Sequence, residues 1–108
     1  MLNVTIYKKE NQITGFDFYG HAGFARKGKD IVCAGVSALV INTVNSVEQL
    51  TQDRFTCEVE EKSGDVRFHL TEDSSEEAQL LMKSLELGVL AIQEQYSKKY
   101  ITVNFREV

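Results

Sequence analysis

The groups in this chain able to do covalent chemistry are few. Its only thiols are Cys33 and Cys57, and its only imidazoles are His21 and His69. A cysteine and a histidine that meet in space form a nucleophile and its base, because the imidazole takes the thiol proton and the thiolate attacks a carbonyl carbon. His21 and Cys33 stand at the two ends of one segment. Residues 20 to 29 read Gly-His-Ala-Gly-Phe-Ala-Arg-Lys-Gly-Lys, and three glycines with three positive charges make a loop. A helix is predicted to begin at Asp30, whose carboxylate can accept the N–H of Val32 or Cys33 as an N-cap. Cys33 is then the third residue of that helix. The unpaired N–H groups and the positive dipole end lie there, which favours a negatively charged sulfur. The same N–H groups can serve an oxyanion.

Each of these residues also has a plainer reading. A cysteine in an apolar helix is usually an inert small hydrophobe. A histidine at a loop edge is usually solvated. Asp30 either orients His21 or only caps the helix, and a carboxylate beside the sulfur opposes its ionisation. Ser37 lies one turn after Cys33 on the same face. Its hydroxyl either bonds back to the Cys33 carbonyl or reaches the site. Cys57 alternates with Phe55 and Val59 and reads as core. His69 lies opposite Phe68 and reads as a solvated strand residue. Neither a Cys-x-x-Cys nor a His-x-x-x-His spacing occurs, so no metal and no cofactor is expected.

The elements that must position the pair follow from periodicity. Leu2, Val4 and Ile6 mark a first strand over about residues 2 to 7, and residues 13 to 19 mark a second that ends at Gly20. These read as a hairpin. In the helix after Asp30, Val36, Val40, Val44 and Val47 share one face. Residues 54 to 60 alternate, Ser63-Gly64 turns, and Val66, Phe68 and Leu70 line the next strand. Ser74 with Glu77 has the spacing of a capping box and opens a second helix. Its stripe is Ala78, Leu81, Met82, Leu85, Val89 and Ile92. Leu80, Leu87 and Leu90 widen the stripe, as core or as a subunit interface. Ile101, Val103 and Phe105 make a last strand. The order is ββαββαβ, an α+β sandwich of a single mixed or antiparallel sheet with two helices, in one domain over residues 1 to 108.

Bulk properties narrow the partners. Twelve basic residues against 16 acidic give a net charge of −4, a poor match for a phosphate backbone, so no direct nucleic-acid binding is expected. Arg26, Lys27 and Lys29 form a small local basic patch. The N-terminal stretch alternates apolar and polar residues and has no signal-peptide pattern. The apolar run within Ile31 to Ile41 is too short to span a bilayer. A soluble cytoplasmic protein with two reduced thiols and no membrane partner is expected.

Gly20-His21-Ala22, followed by Gly28-Lys29-Asp30-Ile31-Val32-Cys33-Ala34-Gly35-Val36-Ser37, resembles the bacterial ribosomal-processing cysteine proteases. The pattern fixes two separate blocks, and length and element order fit over the whole chain. The resemblance implies an α/β fold, a homodimer and a metal-free Cys–His endopeptidase, with His21 and Cys33 as the catalytic pair. It implies as substrate the N-terminal extension of large-subunit ribosomal protein number twenty-seven, a precursor cut after an aromatic residue in a short hydrophobic segment. Gly35 departs from the pattern, where alanine or serine is commoner. A glycine costs about 1 kcal/mol relative to alanine inside a helix.

In the mechanism this implies, His21 activates Cys33, an acyl-enzyme forms, His21 protonates the leaving amine, and water completes hydrolysis. Gly20, Ala22, Gly23, Phe24 and Gly28 form the substrate-binding loop. Residues 22 to 29 would act as a lid that flexes at Gly23 and Gly28, with Phe24 on an apolar substrate side chain. Two rival classes are a non-catalytic, ribosome-associated binding module and a redox-active thiol protein in which Cys33 forms a sulfenic acid.

Overall fold

The computed structural model describes residues 1–23, 25–26, 29–71 and 73–108. The elements are β1 (Leu2–Lys9), β2 (Gln12–Gly20), α1 (Ile31–Leu50), β3 (Phe55–Val59), β4 (Val66–Leu70), α2 (Glu76–Tyr96) and β5 (Ile101–Glu107). That is the ββαββαβ order that the periodicity predicts. The strands form one sheet in the order β3-β4-β2-β1-β5. β1 runs antiparallel to β2 and parallel to β5, so the sheet is mixed.

Period-two alternation explains how the sheet packs. Leu2, Val4 and Ile6 of β1 are buried with Phe16 and Phe18 of β2, Val66 and Phe68 of β4, and Ile101 of β5. Phe16 and Phe68 lie directly across from each other and stack with ring centroids 5.1 Å apart. Both helices close this face. α1 contributes Val32, Val36, Val40, Thr43 and Val47, and α2 contributes Ala78, Gln79, Met82, Leu85 and Val89. Burying each large apolar side chain is worth about 1.5–3 kcal/mol, so this single interface carries most of the stability. Val44, assigned to the helix stripe from sequence, is half-buried at its margin, and so are Leu81 and Ile92.

α1 is 20 residues long with a mean hydropathy of 1.5, long and apolar enough to cross a membrane by length and composition. The short run counted from sequence understates it. Its valine face joins the core, while Ile31, Ile41 and Leu50 lie exposed on its other sides.

Three readings from sequence are corrected here. α2 is capped by Ser75, not Ser74. The Ser75 hydroxyl accepts the N–H of Ala78 at 3.1 Å and itself donates to Asp53 at 2.6 Å, so a carboxylate distant in sequence selects the cap. Ser74 accepts instead from the buried Gln79 amide at 2.7 Å. Cys57 is exposed rather than core, and Val59 beside it is 60% exposed. The face was read correctly, since Cys57 pairs with Phe68 and Val59 with Val66. β3 is an edge strand, however, and the helices leave this part of its inner face uncovered. His69 is half-buried rather than simply solvated. Its Nε2 lies 3.6 Å from Asp17, and its ring is tilted against Tyr7 at 5.1 Å.

Gln79 fastens the start of α2 to β2. Its amide oxygen accepts the N–H of Ile13 at 2.9 Å, and its nitrogen donates to the Ile13 carbonyl at 2.7 Å. The β1–β2 register shifts between Tyr7 and Lys8, which pair with Gly15 and Ile13. Gln79 satisfies the Ile13 backbone beside that irregularity.

Candidate active site

The site forms where β2 gives way to α1. β2 ends at Gly20, whose φ of +91° is a conformation that favours glycine. A Cβ there would lie 2.5 Å from the Met1 carbonyl oxygen, because Gly20 pairs with Leu2 at the start of β1. Ala22 then turns into the core at 3% exposure. His21, between these two anchors, is exposed. Asp30 caps α1 as predicted. Its Oδ1 accepts the N–H of Cys33 at 3.0 Å, and its carbonyl accepts the N–H of Ala34 at 3.0 Å. Val32 and Val36 hold the first turns of α1 against the sheet, which puts Cys33 on the shoulder of the helix, half-buried and packed against the core.

A cavity of about 720 Å³ opens beside that shoulder. His21, Gly23, Asp30, Cys33 and Ser37 all line it. The structure thus places His21, Cys33, Asp30 and Ser37 around one cavity. Gly20 and Ala22 lie outside the wall, and Ala22 faces the core. Phe24 and Gly28, assigned to the substrate loop, fall outside the described residues, and so does Lys27 of the basic patch.

Lys29, Ile31 and Ala34 also line the cavity. Lys29 ends the segment expected from sequence to act as a lid, whereas Ile31 and Ala34 were given no role in the site, although a trace of them was present. Ile31 and Ala34 project away from the buried Val32 and Val36, so their apolar side chains have no place in the core. Ile31 is 56% exposed and gives the cavity an apolar wall.

The other thiol lies elsewhere. Cys57 sits on β3, and partial burial pushes its thiol above the ordinary value. A raised thiol is mostly protonated at neutral pH and a poor nucleophile. Cys33, at a helix start and on a cavity that His21 also lines, is the candidate nucleophile of the two thiols.

Residues 1–102 match the family model described as cysteine protease Prp. The chain belongs to the Prp family of cysteine proteases. It is therefore a hydrolase that works through a thiol. The chain is 33% identical over 101 residues to the ribosomal processing cysteine protease Prp of Bacillus subtilis (strain 168), covering 89% of this chain and 90% of that one. A crystal structure of the Prp protease from Staphylococcus aureus with a covalently linked product peptide superposes with a TM-score of 0.92 at 30% identity. It covers 98% of this chain and all of that one (100%). The same protease with a substrate peptide gives a TM-score of 0.86 at 29% identity, again over 98% and 100%. The Prp fold is thus the mixed five-stranded sheet with two helices described above.

Proposed function

We propose that Cys33 is the nucleophile and His21 the general base of this protease. We further propose that its substrate is the N-terminal extension of large-subunit ribosomal protein number twenty-seven, in the cytoplasm. The observation that carries the reading is that both residues line one cavity with Ile31 and Ala34 as apolar wall. His21 takes the Cys33 proton, and the sulfur attacks the scissile carbonyl to form a thioester. His21 returns the proton to the leaving amine, then activates the water that cleaves the thioester. The N–H of Cys33 already donates to Asp30, so in this conformation the sulfur's own amide does not serve the oxyanion.

Ile31 and Ala34 suit a hydrophobic segment next to the scissile bond. The family name of the relatives supports a ribosomal precursor as substrate, and the covalently linked peptide on the S. aureus protease supports a nucleophilic route. On α2, Leu80 and Leu87 are 70% and 73% exposed, which supports the homodimer that the family resemblance implies.

Mass spectrometry of a peptide carrying the extension, incubated with wild type, Cys33→Ala and His21→Ala, tests the assignment. Cleavage at one bond by the wild type alone is expected. An intact peptide with folded wild type would rule out this substrate, and cleavage by Cys33→Ala would rule out the nucleophile.

A further inference from the structure

Gly20, the residue before His21, is held on both sides. β1 pairs with it through Leu2 on one side. On the other, its N–H donates to Asp65 Oδ1 at 3.3 Å, across 45 residues of sequence. The sheet register explains why a side chain is used. β2 pairs with β4 from Gly15 opposite His69 to Phe18 opposite Val66, and β4 starts at Val66. The ladder therefore ends before Gly20. The Asp65 carboxylate extends it by one acceptor.

The turn that carries Asp65 is well tied. The N–H of Glu60 donates to the Asp65 carbonyl at 2.9 Å, and the N–H of Gly64 donates to the Glu60 carbonyl at 2.7 Å. The N–H of Asp65 donates to the Ser63 hydroxyl at 3.3 Å. Gly64 takes a φ of +77° to close the turn.

We propose that Asp65 is a positioning residue for the protease reaction. Its carboxylate fixes the Gly20 peptide and, through it, the direction in which His21 leaves the sheet. The proposal rests on the assignment of His21 as the general base. Gly20 has no side chain to restrict its torsions, so an untethered Gly20 amide lets φ drift, and each drift swings the imidazole. A base must stay within hydrogen-bond reach of its proton, and small misplacements are costly to rate. The hydrogen bond carries this role rather than the charge, because an amide oxygen at the same place accepts the same N–H.

The test is steady-state cleavage together with the pH profile of Cys33 alkylation, for wild type, Asp65→Ala, Asp65→Asn, Asp65→Glu and His21→Ala. Asp65→Ala is expected to lower kcat about tenfold per alkylatable site with KM within about twofold, since binding groups are untouched. Asp65→Asn is expected to stay within about twofold of wild type. Asp65→Glu keeps the charge but displaces the oxygen, and is expected to lose kcat. The alkylation profile of Asp65→Ala is expected to move in the same direction as that of His21→Ala. Wild-type kcat in Asp65→Ala or Asp65→Glu, or an Asp65→Asn as slow as Asp65→Ala, would overturn the proposal. Should Asp65→Ala not fold, the Asn and Glu variants decide. An active His21→Ala would overturn the base assignment and this inference together. An inactive His21→Ala beside fully active Asp65 variants would overturn this inference alone.

Discussion

Asp30 Oδ1 accepts the backbone N–H of Cys33 at 3.0 Å, so the carboxylate that starts α1 is tied to the residue that carries the proposed nucleophile. The bond stabilises the helix start, and the same carboxylate shares a cavity with His21, which it could orient. The two effects separate by substitution. Asp30→Ala is expected to lower stability by about 1 kcal/mol through loss of the cap, and Asp30→Asn to leave it nearly unchanged. With the cap kept, Asp30→Asn is also expected to label at Cys33 at the wild-type rate, as a residue that only caps the helix would. Slower labelling would show that Asp30 acts chiefly by orienting His21. Thermal melts and labelling rates on the three proteins provide the comparison.

Gly20 and Gly23 both have positive φ, at +91° and +71°, but different surroundings. A Cβ at Gly20 meets the Met1 carbonyl at 2.5 Å, whereas at Gly23 nothing lies within 4 Å. Gly23→Ala is expected to cost about 1 kcal/mol of backbone strain and retain cleavage. Gly20→Ala adds a backbone clash, and is expected to cost more and to lose cleavage as the β2 end is pushed off β1. Equal melting temperatures for the two variants would contradict this account. Retained turnover in Gly23→Ala would count against the hinge that the sequence suggests at Gly23, because a working hinge would slow turnover when stiffened.

How far the sequence revealed these features depended on their range. β1, β2 and α1 could be read because their burial repeats every two or about 3.6 residues within one element. The Asp30 cap was visible because its partner is three residues away. Cys57 was misjudged because alternation shows which way a side chain faces, not whether a helix covers it. Ser75 was passed over for Ser74 because the deciding partner, Asp53, is 22 residues distant. Gln79 was left out of the stripe because it is polar, yet it is 6% exposed and binds the Ile13 backbone. Asp65 carries no local pattern. Its partner lies on another strand, and only the sheet register shows that Gly20 needs an acceptor.

Cys57 gives a control for every thiol experiment. Burial pushes its thiol above the ordinary 9.0, so little thiolate is present near neutral pH. Iodoacetamide at neutral pH is expected to label Cys33 first, and Cys57→Ser is expected to leave cleavage unchanged. Peptide mapping after limited labelling would show the order. Loss of cleavage in a folded Cys57→Ser would place part of the substrate site on β3.

Gly35 is the chain's departure from the family pattern, and nothing nearby demands it. A Cβ there would sit 3.6 Å from Ile92 Cδ1, an ordinary contact. Gly35→Ala is expected to raise stability by up to about 1 kcal/mol, because alanine is the better helix former and its methyl adds contact with α2. Gly88 is the contrasting case, since a Cβ there would approach Leu39 Cδ1 to 2.8 Å. Gly88→Ala is expected to be the less favourable change in urea melts. A Gly35→Ala no more stable than Gly88→Ala would mean the helix spacing is set elsewhere.

Asp53 ties the start of α2 to the chain that leaves α1. Its two carboxylate oxygens accept from the Ser75 N–H at 2.8 Å and the Ser75 hydroxyl at 2.6 Å. The Ser75 hydroxyl holds the Asp53 carboxyl below its ordinary 3.8, outweighing burial, which pushes the other way. A carboxyl whose pKa is lower in the folded than in the unfolded chain adds stability that is fully present above the unfolded value. That stability is lost as pH falls toward the folded value. Asp53→Asn keeps one acceptor oxygen and loses the other, and is expected to cost about 1 kcal/mol at neutral pH. The gap between wild type and variant should hold well above the ordinary 3.8 and narrow as the pH falls below it toward the lowered folded value. Melting temperatures across that range measure it, and a gap of constant size down to pH 3 would show that the ionised carboxylate does not support the α2 cap.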